Sequence, residues 1–332
     1  MARITLLAFE ALQTAVKYLT IKHLTIKPNH MIHSNFSIKT SLCIFFLILI
    51  ALVQSAVAHD ASSKLVTAAE RLPLGDGKIS TVPQSGFVMA CNTRFGGGGA
   101  HKVGEWIDVS TSSWSTVGKP QVEGMVQWSN ARIAVTREGD NRMISANNLP
   151  THNSGQFPIR AGSIASNYDR NPNSIKDRVI LLSLPAEPKL AAQPSCIPMG
   201  MVGFALSGVA IFNAFDAMGR DAPAYEIQDA CNGHPQRAGQ YHYHDWSPCL
   251  AKNTTGQAYT HDEPVGWMMD GFPILGPIGK DNKAITNADL DECHGRVGDV
   301  RIDGVLKSMY HYRFTMTYPY TIGCFRGSPV KT

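Results

Sequence analysis

The stretch GQYHYHDWSPC, residues 239–249, alternates two tyrosines with two histidines and ends at a cysteine. In an extended strand successive side chains point to opposite faces, so His242 and His244 would share one face, with Tyr241 and Tyr243 on the other. Two imidazoles on one face can bind the same metal ion, and neutral imidazole suits zinc, copper and iron. The stretch therefore predicts a β-strand that presents part of a metal site.

The features around this stretch occur twice in the same order. They are the apolar runs VGFALSGVAIF (202–212) and VGWMMDGFPIL (265–275), the segments DACNGHP (229–235) and DECHGRV (291–297), and the triplets YHY at 241–243 and 310–312. A cysteine follows each triplet, at Cys249 and Cys324. This agreement indicates a tandem duplication with repeats at about 202–249 and 265–324, whose halves pack about a pseudo-twofold axis.

Each repeat begins with a predicted β-hairpin whose turn is Ser207-Gly208 or Asp270-Gly271, because glycine accepts the positive φ of such turns. Asp270 is therefore either a turn former or a catalytic carboxylate. Upstream, short β segments are predicted at residues 86–90, 106–109, 125–136 and 142–146, whereas the polar stretch 162–175 is typical of a loop. We expect a mainly β protein, a disulfide-bonded sandwich or barrel-like domain with few short helices.

Six of the nine histidines after residue 58 lie between His234 and His311, which supports a site in this half of the chain. The third metal ligand is predicted to be His234, from the segment that contains Cys231, or His311, which would meet His242 across the pseudo-twofold axis. Structural histidines inside a β-sheet are the alternative.

The two repeats differ where the ligands are expected. His234 aligns with Arg296 and His244 with Arg313, so these guanidiniums would bind a carboxylate or phosphate-like group of a substrate beside the metal. The acidic residue that opens each D-x-C-x-G segment, Asp229 or Asp291, would orient a ligand histidine from behind it.

The chain begins with a sequence typical of targeting. Lys39, the apolar run 42–53 and the small residues Ala56-Val57-Ala58 predict a signal peptide at residues 31–58 that is removed before His59, preceded by an extended leader at 1–30. The apolar run is short for a bilayer span, so we expect no stable membrane anchor after cleavage. An N-terminal β region is predicted at 59–190 and the duplicated domain at 191–327.

Removal of the leader changes the charge of the chain. Residues 1–58 hold five Lys/Arg and one acidic residue, so 30 − 5 = 25 basic and 26 − 1 = 25 acidic side chains remain. A chain without net charge or a run of basic residues gives no electrostatic reason to expect nucleic acid.

Six cysteines remain after the leader, an even number that is typical of disulfides in an exported chain, although six cysteines allow fifteen pairings. We expect each repeat to close its own disulfide, which leaves the first two cysteines to pair with each other: Cys231–Cys249, Cys293–Cys324 and Cys91–Cys196. Asn253-Thr254-Thr255 is an acceptor pattern for N-glycosylation.

With these residues identified, the chain resembles the YHYH-domain family, named for the motif at residues 241–244. The similarity extends over DACNGHP, DGFPILGPIG, LDECHG and YPYTIGC, and upstream to ISANNLPTHNSGQFP and PMGMVGFALSGVAIFNAFD. The resemblance implies an exported protein and does not supply a reaction. The second repeat departs from the motif because it ends in Arg313 instead of histidine.

We expect a secreted protein with a divalent metal, zinc or copper first among the candidates, bound by His242 and His244 with His234 or His311. Its activity would be that of a metal-dependent hydrolase or oxidoreductase on an anionic substrate. The alternative is a non-catalytic extracellular binding or matrix module with structural His/Tyr strands. The expected partner is a small molecule or a glycan.

Overall fold

The computed structural model describes residues 71–331. The predicted leader and signal peptide, at 1–30 and 31–58, lie outside the described residues. None of the described helices combines the length and the apolar composition needed to cross a membrane.

The first part of the described chain forms three small sheets that run in the orders β1-β5-β4, β2-β3 and β6-β7-β8. Their strands are β1 (Leu72–Pro73), β2 (Ile79–Ser80), β3 (Val88–Met89), β4 (Ile107–Asp108), β5 (Ser113–Trp114), β6 (Ile133–Glu138), β7 (Asn141–Ala146) and β8 (Ile180–Pro185). The predicted segments at 86–90, 106–109 and 142–146 each contain a strand, whereas that at 125–136 becomes extended only from Ile133. The stretch 162–175 contains one 3₁₀ turn, Ala165–Asn167, and no strand.

The second part of the chain forms one eight-stranded sheet. Its strands are β9 (Met201–Ala205), β10 (Ala210–Phe212), β11 (Gly233–Pro235), β12 (Tyr241–Tyr243), β13 (Pro264–Met268), β14 (Pro273–Leu275), β15 (Gly295–Ile302) and β16 (Val305–Arg313). A four-residue helix, α1 (Ala222–Tyr225), and two further 3₁₀ turns lie in the connections. The prediction of a mainly β protein with few short helices is confirmed, and a sandwich or barrel shape stays a prediction, as do the domain limits.

The order of the strands confirms the duplication. The sheet runs β11-β12-β10-β9-β13-β14-β16-β15. Counted from the centre outwards, the equivalent strands of the two halves follow in the same order. In both halves the first two strands form an antiparallel hairpin, the second pairs in parallel with the Y-H-Y strand, and that strand pairs with the D-x-C-x-G strand. The pseudo-twofold axis therefore passes between β9 and β13, at the middle of the sheet.

The shared D-x-C-x-G and Y-H-Y motifs form the same hydrogen-bonded unit in each half. Asp229 accepts hydrogen bonds from the backbone amides of Cys231 and Gly233 and from the hydroxyl of Tyr241 at 2.8 Å. In the second half Asp291 accepts from the amides two and four residues later and from the hydroxyl of Tyr310 at 3.0 Å. Neither carboxylate hydrogen-bonds a histidine in the described part, so the expected role behind a metal ligand is not met.

The glycine of the motif is required because the tyrosine ring packs on its backbone. A Cβ atom added to Gly233 would lie 2.2 Å from the ring of Tyr241, and one added to Gly295 would lie 2.2 Å from the hydroxyl of Tyr310. The glycines of the two hairpin turns adopt the same left-handed conformation, since Gly208 has φ +80° and Gly271 has φ +85°.

The residue before each turn glycine supports the second tyrosine of the triplet. The hydroxyls of Ser207 and Tyr243 are 3.1 Å apart, and Tyr312 donates to the carboxylate of Asp270 at 2.6 Å. Asp270 is buried and also accepts from the backbone amide of Gly327. The oxygens of Asp270 hold the turn, a tyrosine and the C-terminal segment together, as expected for the turn former, and its catalytic role stays a prediction.

Three disulfides join the cysteines in the expected pairs, Cys91–Cys196, Cys231–Cys249 and Cys293–Cys324. The second ties the start of β11 to the turn that follows β12, and the third does the same for the other half. The first joins the upstream region to the segment before β9.

We predict that Gly233→Ala and Gly295→Ala each lower the free energy of unfolding by about 1–3 kcal/mol, because the new methyl group overlaps a buried tyrosine ring. Gly96→Ala is the matched control, since a Cβ atom there meets nothing within 4 Å, and it should stay within about 0.5 kcal/mol of the original protein. Denaturant unfolding measures all three. A strong effect at only one of the two motif glycines would contradict the equivalence of the two units.

Candidate metal centre

Strand β12 and its partner β11 bring three histidines together at one end of the sheet. His242 lies on the face of β12 opposite to Tyr241 and Tyr243, and the register of the pair places His234 directly beside it. His244 follows at the end of the strand. One nitrogen from each ring lies within 4.8 Å of the others, and all three side chains are buried. His234 is therefore the third histidine of the cluster, as one of the two sequence alternatives predicted.

The far nitrogen of two of these rings is fixed by the backbone. Nδ1 of His242 lies 3.0 Å from the carbonyl oxygen of Gln240, and Nδ1 of His244 lies 2.5 Å from that of Asn213. A carbonyl oxygen can only accept, so both Nδ1 atoms carry the proton and both Nε2 atoms of the neutral rings present a lone pair. These Nε2 atoms face each other at 3.0 Å. Two lone pairs in this position require a cation or a proton between them.

A buried carboxylate completes the cluster, and it was not predicted from the sequence. Oε2 of Glu226 lies 3.3 Å from Nε2 of His244 and 3.4 Å from Nε2 of His234. Glu226 follows helix α1, which begins after Asp221 and has Pro223 in its first turn, and its extended backbone ends the helix. No recognisable spacing connects Glu226 to the histidines in the sequence, because only the fold of the helix brings them together.

Several polar atoms of the cluster are buried without a hydrogen-bond partner. They are both ring nitrogens of His234 and Oε2 of Glu226, which lies at ion-pair distance from two imidazoles without the alignment of a hydrogen bond. Buried polar atoms of native proteins nearly always have a partner, and these atoms could find one in a bound ion.

The pKa values of these side chains show how charge is distributed in the cluster. Burial lowers the pKa of His234 to about 4 and the pKa of His242 well below its usual 6.5. Burial alone would raise the pKa of Glu226, but His234 and His244 hold it at about 2. The pKa of His244 is raised, since Glu226 outweighs the opposing effect of burial. The cluster therefore combines an anionic carboxylate with two neutral imidazoles and with His244, whose protonation Glu226 favours.

The spacing of the ligand atoms fits a metal ion. Ligand atoms about 2.0–2.1 Å from a tetrahedral zinc ion lie about 3.3 Å from one another. The three short separations in the cluster are 3.0, 3.3 and 3.4 Å. The ring of Phe212 stacks on that of His242 with centroids 3.8 Å apart, which fixes the orientation of the ligand and covers it from solvent.

The comparison with known families agrees with this location. Residues 181–287 match the family model described as YHYH protein. The match covers less than half of the chain. No curated protein and no solved structure is similar enough to the chain to count as a match. Glu226 and the three histidines lie inside the matched segment, whereas the second Y-H-Y triplet lies beyond its end.

The second repeat places its equivalent residues far from the candidate centre. Five strand spacings of about 4.8 Å, or about 24 Å, separate β12 from β16, which carries His311. The prediction that His311 meets His242 is wrong, because the axis passes between the hairpins and leaves the Y-H-Y strands towards opposite edges of the sheet.

The predicted arginines lie on β15 and at the end of β16, across the pseudo-twofold axis from the candidate centre, so the fold does not bring them to it. Arg313 is buried and donates to the backbone carbonyls of Gly276 at 3.0 Å and His261 at 2.8 Å. Gly276 corresponds to Asn213, so the guanidinium of Arg313 occupies the position of the His244 imidazole and binds the equivalent carbonyl. Arg296 lies opposite His311 in the register, as His234 lies opposite His242.

A second group of possible ligands, His152, Cys231 and Cys249, lies on the other side of β12. The two cysteines are joined to each other, so neither presents a thiolate. His152 hydrogen-bonds the hydroxyl of Tyr243 through Nε2. This group therefore supports the tyrosine face of the strand.

We predict that the double substitution Arg296→His with Arg313→His creates a second metal site. With His311 it would restore three imidazoles in the arrangement of the first repeat, with the Gly276 carbonyl free to orient the new histidine at 313. The metal content should rise from about one to about two equivalents per chain. Arg296→Ala with Arg313→Ala is the matched control and should stay at about one. A folded histidine variant that binds no additional metal would contradict the equivalence of the two positions.

Proposed function

We propose that this chain is an exported metal-binding protein that holds one divalent transition metal ion through His234, His242, His244 and Glu226. The observation that carries the proposal is the pair of Nε2 atoms of His242 and His244, 3.0 Å apart with both Nδ1 atoms committed to backbone carbonyls. A metal ion between these lone pairs satisfies both rings at once.

The alternative, in which the histidines are structural, accounts for fewer of the observations. Structural imidazoles in a sheet donate one N–H and accept one hydrogen bond, whereas neither ring nitrogen of His234 has a partner among the described residues. Tyr241 and Tyr243 on the opposite face are hydrogen-bonded through their hydroxyls, as expected for structural residues. The tyrosine hydroxyls on one face of β12 are therefore hydrogen-bonded within the protein, whereas beside the other face the ring nitrogens of His234 on β11 have no hydrogen-bond partner among the described residues.

The donor set favours zinc or copper. Three imidazoles and one carboxylate suit both ions, and three of the six separations between the donor atoms, 3.0, 3.3 and 3.4 Å, are close to those around a four-coordinate ion. When bound, either ion would supply Lewis-acid chemistry, and copper would add redox chemistry. The residues of the chain would orient the ligands through Gln240 and Asn213 and exclude water through Phe212.

The position of Glu226 favours a closed centre with four protein ligands. Its Oε2 lies as far from two imidazole nitrogens as neighbouring ligand atoms lie from each other around one ion. A carboxylate that acted on a metal-bound water would leave three histidines and an open position. The short separations and the burial of Glu226 support its role as the fourth ligand, so the ion would hold β11, β12 and the end of α1 together.

Export is the second part of the proposal. Three disulfides fit an oxidising compartment, and the predicted signal peptide at residues 31–58 would direct the chain into the secretory pathway.

We predict that His242→Ala removes the metal and that His311→Ala does not. Both substitutions delete the central histidine of a Y-H-Y triplet, and both histidines bond the carbonyl two residues earlier, so the structural loss is matched. Protein secreted as an oxidised full chain and purified without chelator should contain about one equivalent by elemental mass spectrometry. His242→Ala should retain less than about a tenth of it, and His311→Ala should retain all of it.

Absence of metal from the original protein, even after dialysis against zinc and copper, would contradict the proposal. So would an equal loss in the two variants, which would assign both histidines to the fold.

A further inference from the structure

A polar cleft of about 60 Å³ lies beside the segments that carry the metal ligands. Gln228 lies two residues after Glu226, Asn232 two residues before His234, and Asp245 directly after His244, and all three line the cleft. Lys119 from the upstream region closes it, together with the ring of Trp114. The cleft has room for roughly four to six water-sized groups.

Two side chains of the cleft present buried polar atoms without partners. Oδ1 of Asp245 has none, although Nδ2 of Asn232 donates to its Oδ2 at 3.2 Å. Nε2 of Gln228 has no hydrogen-bond partner either, whereas Oε1 of the same side chain accepts from Lys119. The cleft therefore lacks one donor for a carboxylate and one acceptor for an amide.

Lys119 contributes a positive charge that is not neutralised by contact. Its Nζ donates to the carbonyl of Pro223 and, at 2.8 Å, to Oε1 of Gln228, so one of its three hydrogens remains. Asp245 is not among its hydrogen-bond partners, although it is the strongest attractive charge near the amine. Burial outweighs that attraction and lowers the pKa of Lys119 to about 8.

The other carboxylate of the cleft is already satisfied. Asp229 accepts from the amides of Gly155, Cys231 and Gly233 and from the hydroxyl of Tyr241. The free groups that remain are one oxygen of the Asp245 carboxyl, one hydrogen of the Lys119 amine and the two N–H bonds of Gln228 Nε2, so unpaired donors and an unpaired acceptor lie in the same small cleft.

We infer that this cleft binds a small amino acid in its zwitterionic form. The ammonium group of the ligand would donate to Oδ1 of Asp245, and its carboxylate would accept from Lys119 and Nε2 of Gln228. Such a ligand offers donors to the unpaired oxygen of Asp245 and acceptors to the unpaired N–H groups of Lys119 and Gln228, which neither a simple carboxylate nor a simple amine does. The volume matches glycine or alanine, which have five or six non-hydrogen atoms. The inference needs no metal ion and concerns a site separate from the four ligands.

Isothermal titration calorimetry of the oxidised chain as secreted tests this inference with glycine, alanine, lactate and ethylamine. Glycine or alanine should bind saturably, at least about tenfold more tightly than lactate, which lacks the ammonium group, or ethylamine, which lacks the carboxylate. Asp245→Asn should remove the preference for glycine over lactate, and Lys119→Met should weaken the binding of glycine and lactate alike.

Asp281→Asn and Lys283→Met are the matched controls, since these residues form an exposed ion pair, and both should leave binding unchanged. The metal content of every variant is measured in parallel, so that loss of the cleft is distinguished from loss of the metal centre. Lack of saturable binding of glycine and alanine to the original protein would overturn the inference, as would equal binding of all four compounds or unchanged binding in the Asp245 and Lys119 variants.

Discussion

The structure depends on one buried interaction, the hydrogen bond between the aspartate of the D-x-C-x-G segment and the first tyrosine of the Y-H-Y strand. Asp229 accepts from Tyr241 and from two amides of its own turn, which fixes how β11 lies against β12. Because side chains alternate along a strand, fixing the tyrosines on one face fixes the histidines on the other. The register then places His234 beside His242, and the ring nitrogens converge where Glu226 arrives from α1.

The same unit supports different chemistry in the two halves of the sheet. Asp291, Tyr310 and Gly295 reproduce the hydrogen bonds and the close packing of the first half, and His311 bonds the carbonyl two residues before it as His242 does. The ligand positions, however, hold Arg296 and Arg313, and the buried guanidinium bonds carbonyl oxygens. The duplicated part is therefore the framework of aspartate, glycine and tyrosine, and the imidazole cluster belongs to one half.

Features that arise from local pattern could be predicted from the sequence, and features that depend on strand order could not. The hairpins, the Y-H-Y strands, the disulfide pairs and the shared face of His242 and His244 follow from alternation, turn glycines and internal repetition. His311 was misplaced because the repeat pattern does not tell which strands lie beside the pseudo-twofold axis. Glu226 was missed because a four-residue helix carries it into the site without a spacing motif. The role of Asp270 was left open because a buried turn carboxylate and a catalytic one have the same sequence pattern.

X-ray absorption at the edge of the bound metal tests the centre most directly, on the oxidised chain as secreted. We expect a first shell of three imidazole nitrogens and one carboxylate oxygen at about 2.0–2.1 Å, with the multiple-scattering signature of histidine rings and no sulfur. Replacement of Glu226 by glutamine should change the oxygen contribution and leave the three imidazoles in place. A shell made mainly of water oxygens, or one that contains sulfur at about 2.3 Å, would contradict a metal ion held by His234, His242, His244 and Glu226.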